Sequence, residues 1–394
     1  MIDYDKVLSD KIKDMKPSGI RKFFDIAQQI DGVISLGVGE PDFKTPWAIR
    51  QEAISTLEKG KTCYTANAGL MMLREEISKY FERKIHTHYD PGSEIIVTVG
   101  GSEAIDLCIR CMTEVGDEVL IVEPSFVCYR PIVSLCGGVP VSIETKEENG
   151  FILTADELRA KITDKTKLLI LPYPNNPTGA VMHREELEEI AQVLKDTDIV
   201  VVSDEIYSEL TYDGNHCSIA EIEGMRERTV VINGFSKSFA MTGWRLGFLA
   251  GPKPIVSQML KLHQYAIMSS PTVSQYAAIT ALKSCEEDTQ KMKNEYNIRR
   301  RYVVDALNRL GLHCFVPQGA FYVFPSIKST GMTSSEFCEK LVYTKKVAVV
   351  PGDAFGQCGN GYIRISYAYS LNHLREAMKR IGEFLEEIKN GTIQ

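Results

Sequence analysis

Five apolar runs in this chain each end in residues able to do chemistry. Gly100, Gly101 and Ser102 follow EIIVTV, and Ser125 and Phe126 follow EVLIVEP. Asn175 and Asn176 follow KLLILPYP; Asp204 and Tyr207 come in the SDEIY that follows DIVVV; Ser236 and Lys237 come just after TVVING. The glycine pair and Ser102 open a helical pattern, so free backbone N–H groups, a positive helix end and a hydroxyl meet where an anion such as phosphate is welcome. No Gly-Lys-Ser/Thr follows, so this is not a Walker loop, and a dinucleotide fingerprint is also missing. A carboxylate such as Asp204, at the end of so apolar a run, is costly to bury unpaired and calls for a cation or a donor. Lys237 stands among Ser, Phe, Ala, Met, Gly and Trp, with Arg245 the nearby cation. Desolvation normally keeps lysine off such surroundings.

The elements that must position these groups can be read from the same runs. EIIVTVG (Glu94–Gly100), EVLIVEP (Glu118–Pro124), KLLILPYP (Lys167–Pro174), DIVVVSDE (Asp198–Glu205) and TVVINGFS (Thr229–Ser236) are apolar on both faces, as a helix-covered parallel sheet requires. Helical patterns such as SEAIDLCIRCMTE and HREELEEIAQVLKD lie between several of them. The alternation predicts an α/β architecture, with a large domain built on a mostly parallel open sheet covered by helices. After Pro271 come the helical pattern EYNIRRRYVVDALNRLG, the strand-like pieces GAFYVFPSI, VAVVPG and GYIRISYA, and a terminal helix from about Asn372. This mixture predicts a smaller α+β domain. The expected division is an N-terminal arm over 1–45 packing with the small domain, a large domain over 46–285, and the small domain over 286–394.

Ligands of open α/β sheets bind at the carboxyl ends of the strands, where the five groups of residues fall. Each group has a plainer reading: a glycine turn, a packed aromatic, a polar turn, a loop lysine reaching back to water. Together, however, they form a phosphate cradle, an aromatic, an amide, a carboxylate, a phenol and an amine at the ends of one sheet. A flat, phosphorylated heteroaromatic aldehyde needs that set. Pyridoxal phosphate requires a lysine for its aldehyde, a carboxylate that holds its ring nitrogen protonated, and donors at its phenolic oxygen.

The bulk numbers narrow the class. With 394 residues, 44% hydrophobic and 25% charged, the chain is long enough for a large core and reads as an ordinary globular protein. A net charge of −7 argues against a nucleic-acid partner, which would need a basic face. The N-terminal MIDYDKVLSDKIKDMKPSG carries charge throughout, and no apolar segment is long enough to span a bilayer. Ten cysteines without a disulfide framework point to the cytoplasm. Cys108 and Cys111 form a lone CxxC on one helix face with no second ligand pair, so they read as packing cysteines and no metal site is expected. His86 and His88 also lack companion ligands and read as a surface loop.

The chain resembles the class I/II pyridoxal-phosphate aminotransferases of fold type I, over nearly its whole length. Within them it is similar to the bacterial and archaeal aspartate, aromatic and N-acetyl-diaminopimelate aminotransferases. The motifs are SLGVGEPDF, YTANAGLMMLREEI, TVGGSEA, YPNNPTGAV, SDEIYSELTYD, GFSKSFAMTGWRLGF, QGAFYVFPS, VAVVPG and YIRISYA, in the family's order. The resemblance implies that Lys237 binds the cofactor covalently and later moves the substrate α-proton. It implies that Asp204 pairs with the ring nitrogen and that Asn176 and Tyr207 donate to the phenolic oxygen. Phe126 would stack on the ring, while Gly101, Ser102, Ser236 and Arg245 hold the phosphate. Tyr64 would reach the cofactor phosphate of a neighbouring subunit, implying a homodimer with shared sites. Arg364 would clamp the substrate α-carboxylate, with Gly39 and Asn176 beside it.

Met71 and Met72 stand where many relatives have a Pro-Glu-like pair, which bears on the substrate entrance and not on the cofactor. The implied reaction passes an amino group from an L-amino acid to a 2-oxo acid such as 2-oxoglutarate by a ping-pong scheme. A C–S β-lyase acting on cystathionine or cysteine conjugates is the alternative on the same scaffold. A cofactor-sensing transcription regulator would need an N-terminal DNA-binding domain, and the resemblance already begins by about Lys16. Arg110 reads either as a surface arginine or as a contact for a distal substrate carboxylate.

Overall fold

The computed structural model describes residues 2–15, 17, 19 and 29–393. Residues 1, 16, 18 and 20–28 of the arm expected over 1–45 therefore lie outside the described residues. Seven strands form the main sheet, in the spatial order Ile95–Thr98, Gly247–Ala250, Thr229–Gly234, Val200–Asp204, Thr166–Leu171, Glu118–Glu123 and Val139–Glu144. Gly247–Ala250 runs antiparallel to both its neighbours, and the remaining pairings are parallel. The architecture is the mostly parallel α/β sheet that the apolar runs predicted.

Period-two alternation divides the strands between two buried layers. Leu168, Ile170, Val202, Val230 and Ile232 pack with the helices Gly101–Met112, Tyr129–Cys136 and Lys253–Ala266. Leu169, Leu171 and Val201 pack on the other side, against Leu187, Ile190 and Leu194 of the helix Arg184–Leu194. A third cluster sits at the antiparallel end, where Phe248 meets Phe81, Tyr80 and Phe235 edge-on with centroids 5.4–6.2 Å apart. Two strands escape the sequence reading. Val139–Glu144 is an edge strand interrupted by Pro140, and Gly247–Ala250 is only four residues long, so neither presents a run.

A smaller antiparallel sheet of Val350–Pro351, Ile363–Ser366 and Tyr322–Val323 follows later in the chain. It shares a core with the helices Glu286–Arg309, Ser334–Lys345 and Leu371–Lys389. Ile34–Ser35 pairs in parallel with Val347–Ala348, and the Leu36 carbonyl accepts from the Ser366 N–H at 2.8 Å. The stretch after Leu36 is thereby carried between the two sheets. Asp42 pins its far end, accepting both bonds from buried Arg299 Nη1 at 2.8 and 2.9 Å. No helix of the described residues is long and apolar enough to cross a membrane.

Phe248→Ala opens a cavity among three aromatic neighbours and is expected to lower unfolding free energy by ~3–5 kcal/mol. Ile298→Ala, on an exposed helix face, is expected to change it by no more than ~0.5 kcal/mol. Urea denaturation of the two variants checks both values.

Candidate active site

The carboxyl ends of the parallel strands, together with Arg364 and Tyr322 of the small sheet, enclose a cavity of about 300 Å³. At one end Gly100, with φ +77°, leads into the helix Gly101–Met112. A Cβ on Gly100 would come within 2.8 Å of Arg245 Nη2, and one on Gly247 within 2.6 Å of the Gly100 carbonyl carbon. Glycine at both positions lets Arg245 and the neighbouring strand close on the helix start. Ser102, Ser236 and Arg245 line this end, so the first-turn N–H groups, two hydroxyls and a guanidinium face one space.

Asp204 ends its strand fully buried. Its Oδ2 accepts from the Tyr129 hydroxyl at 2.6 Å and its Oδ1 from the Ile206 N–H at 3.3 Å. Burial raises its pKa, against the pull of those two donors. Phe126 lines the cavity edge-on to Tyr129, with centroids 6.1 Å apart. Tyr207 shares a hydrogen bond of 2.8 Å with the Tyr322 hydroxyl.

Lys237 lies on the short helix Phe235–Ser238 and donates from Nζ to the Gly39 carbonyl at 2.6 Å. Its pKa is pushed down to about 8, first by burial, with the Arg364 and Arg245 charges adding and Glu40 opposing. Arg364 is buried, and its Nη1 donates to Asn176 Oδ1 at 2.9 Å while Nη2 donates to the Gly37 carbonyl. Its Nε is buried without a partner, and its guanidinium lies 4.5 Å from the Tyr322 ring centroid and 4.8 Å from that of Phe355. Among the described residues no acid pairs with it. A buried guanidinium with a free donor edge is matched by a carboxylate arriving on a ligand.

These features bear on the fit of pyridoxal phosphate. An amine whose proton affinity is lowered by burial suits the aldehyde, and a buried carboxylate without an ion-pair partner among the described residues suits a protonated ring nitrogen. The glycine-bounded helix start with Arg245 suits the phosphate. The residues present fit the group.

Gly39, Gly101, Ser102, Phe126, Asn176, Asp204, Tyr207, Ser236, Lys237, Arg245 and Arg364 all line this cavity. Tyr64 does not: it is 82% exposed and faces away from its own chain. At Gly39 an added Cβ would overlap the Tyr322 hydroxyl. Arg110 sits on the outer face of its helix, paired with Asp106 through Nε at 3.1 Å and Nη2 at 2.6 Å, and does not line the cavity. Cys108 is buried in the core and Cys111 partly so, and no group of three or more ligand-type residues is assembled for a metal among the described residues. Tyr129, Thr242 and Tyr322 line the site without having been singled out from the sequence. Tyr129 is the first residue of the helix Tyr129–Cys136, three positions beyond Phe126, and like Tyr322 in GAFYVF it looked like any packing aromatic in the sequence.

A family model described as aminotransferase class I and II matches residues 31–381. The Bacillus subtilis protein YugH is 54% identical over 380 residues, covering 96% of this chain and 98% of that protein. The aspartate aminotransferase of Pyrococcus abyssi is 48% identical over 385 residues, covering 97% of this chain and 99% of that one. The crystal structure of an aromatic aminotransferase from Pyrococcus horikoshii superposes with a TM-score of 0.90 at 46% identity, covering 93% of this chain and 99% of that one.

The depressed Lys237 pKa has a consequence for stability. A lysine at about 8 when folded and 10.5 when unfolded resists protonation in the native state, so it penalises folding fully below pH 8. That penalty fades as pH rises from 8 to 10.5, where the unfolded chain alone still holds the proton. Cofactor-free Lys237→Met is therefore expected to be more stable than wild type at pH 7, by on the order of 2–3 kcal/mol. The advantage is expected to shrink between pH 8 and 10, as followed by urea melts of both proteins.

Proposed function

The chain belongs to the class I and II aminotransferases, which use pyridoxal phosphate, and on that premise we propose how its residues divide the work and which substrates they serve. It takes the amino group of an aspartate-like or aromatic L-amino acid and passes it to a 2-oxo acid, 2-oxoglutarate among them, in two alternating half-reactions. One observation carries this reading. A depressed amine, a buried carboxylate and a buried guanidinium without an acid share one cavity.

When bound, the cofactor supplies an electron sink that lets a C–H bond at the substrate α-carbon break heterolytically. Asp204 would pair with the ring nitrogen, with Tyr129 holding the carboxylate in place. Phe126 would stack on the ring, and Asn176 and Tyr207 would donate to the phenolic oxygen. Gly101, Ser102, Ser236 and Arg245 hold the phosphate. Arg364 grips the α-carboxylate of amino acid and oxo acid alike, through a planar fork that lysine lacks. That grip turns the α-hydrogen toward Lys237, whose Nζ takes the proton from Cα and returns one in the reverse half-reaction. A pKa near 8 leaves a usable share of neutral amine at neutral pH.

The exposed Tyr64 belongs to a homodimer in this reading, reaching the phosphate site of the partner subunit. Its stretch is tied to the 263–276 region by Asn67 to the Met268 carbonyl at 2.8 Å and Thr272 to the Cys63 carbonyl at 2.7 Å. Tyr265 and Met268 are exposed there, as are Met71 and Met72 at a helix start, the kind of apolar surface that a subunit interface covers. The chain divides into an arm through residue 45, a cofactor-binding domain over 46–285 and a small domain over 286–394, supported by which sheet each segment joins. Ten free thiols agree with a cytoplasmic site of action.

Lys237→Ala is expected to lose the pH-dependent absorbance of lysine-bound cofactor and to drop turnover by ~10³-fold or more, in an amino-donor panel against 2-oxoglutarate and pyruvate. Retention of both, or pyruvate and ammonia released from a cysteine conjugate without an oxo acid, would overturn the reading. Arg364→Lys is expected to lower kcat/KM for donor and acceptor by ~10²-fold, mostly through KM. Arg110→Ala is expected to leave the aspartate-to-phenylalanine ratio unchanged, since that side chain pairs on the surface.

A further inference from the structure

Tyr207 and Tyr322 share one hydrogen bond, with their hydroxyl oxygens 2.8 Å apart. Only one of the two protons can lie in that bond, so its direction decides what Tyr207 has left to give. If Tyr207 donates to Tyr322, it has no proton for the cavity. If Tyr322 donates, the Tyr207 proton is free to point at a ligand oxygen. The reading of Tyr207 as a donor to the phenolic oxygen, on which this inference rests, therefore needs a second residue to set the direction.

The surroundings of the pair differ in the required sense. The Arg364 guanidinium sits over the Tyr322 ring at 4.5 Å and favours release of its proton. Tyr207 has the buried Asp204 carboxylate on its side, which favours keeping its own, against any positive charge on Lys237 Nζ, 5.9 Å from its ring centroid. The Arg364 charge lowers the pKa of both phenols against the effect of burial, but only at Tyr207 does Asp204 push the other way. The more acidic phenol is the better donor. Tyr322 is also held still: its ring packs on Phe321 at 4.9 Å and on Tyr207 at 5.8 Å, and its strand is paired with Ser366. Gly39 is what gives its hydroxyl room, because a Cβ there would overlap that oxygen.

We propose that Tyr322 is a positioning residue, donating its proton to the Tyr207 oxygen so that the Tyr207 proton is directed at the phenolic oxygen of the cofactor. A hydroxyl that accepts a bond becomes a stronger donor in turn, so the chain Tyr322 to Tyr207 to ring oxygen strengthens along its length. A well-solvated ring oxygen holds the proton of the lysine-bound nitrogen less tightly. Losing Tyr322's hydroxyl therefore raises the pH at which that proton leaves. Besides the two phenols, the charged groups around the pair are Arg364, Asp204 and Lys237, with Glu40 acting in turn on Lys237.

The test is a pH titration of the visible absorbance of substrate-free holoenzyme. It compares wild type, Tyr322→Phe, Tyr207→Phe and the double variant; Phe keeps the buried ring and removes one oxygen. The midpoint is expected to rise by ~0.5 pH unit, about threefold in proton affinity, in Tyr322→Phe and by more in Tyr207→Phe. Adding Tyr322→Phe to Tyr207→Phe is expected to change nothing further, because the effect passes through the Tyr207 oxygen. An unmoved midpoint in Tyr322→Phe, or an equal shift in both backgrounds, would overturn the proposal and leave the assignment of Lys237 standing. A wild-type holoenzyme without any pH-dependent band would instead overturn that assignment.

Discussion

Lys237, Asp204 and Arg364 are three charged groups buried around one cavity, and none forms an ion pair within the described residues. Water cannot solvate them well at that depth, and the protein supplies only hydrogen bonds: Gly39 to the amine, Tyr129 and Ile206 to the carboxylate, Asn176 and Gly37 to the guanidinium. A fold that holds charge this way is strained toward any ligand bearing a cation for Asp204, an anion for Arg364 and a carbonyl for the amine. Much of the remaining architecture can be understood as what that arrangement demands.

The first demand is rigidity. Asp204 and Lys237 stand just past central parallel strands that are apolar on both faces and clamped between helical layers, so their backbones have little freedom to relieve the unpaired charge. The second is convergence from two sheets. Lys237, Asp204 and Asn176 come from the large sheet, whereas Arg364 and Tyr322 come from the small one. The stretch from Leu36 to Asp42 is anchored on the small-sheet side at both ends, to Ser366 and Arg299, and meets Lys237 of the large-sheet side through the Gly39 carbonyl. Its Gly37 and Gly39 carbonyls accept from Arg364 and Lys237, so a loop without regular structure orients both cations.

Glycine recurs where that convergence is tightest. Gly100 and Gly247 let a strand and an arginine close on a helix start, and Gly39 leaves space for a phenol. These are backbone approaches that any Cβ would block, at the two ends of the same cavity. The polar neighbour of Asp204 makes the opposite point. Glu205 is equally buried, but it turns to the other side of the sheet, where Ser203, Ser218 and His216 satisfy it at 2.5–2.8 Å. It is a paired structural carboxylate one residue away from an unpaired one.

The amino-acid sequence by itself determined the main sheet and most of the residues that line the cavity at its strand ends. Long two-faced apolar runs can only be buried strands, and chemistry placed at their ends must meet at one edge of the sheet. Short or proline-bearing strands such as Gly247–Ala250 and Val139–Glu144 carry no such signature, because their place comes from their neighbours and not from their own pattern. Tertiary structure alone showed where Glu205, the neighbour of the singled-out Asp204, finds its partners. It likewise decided that Arg110 pairs on the surface with Asp106, and that Tyr129 and Tyr322 touch Asp204 and Tyr207 in the cavity. In each case the deciding quantity is the direction in which a side chain points and what it meets there. Residue type and spacing do not encode that until the two sheets are brought together.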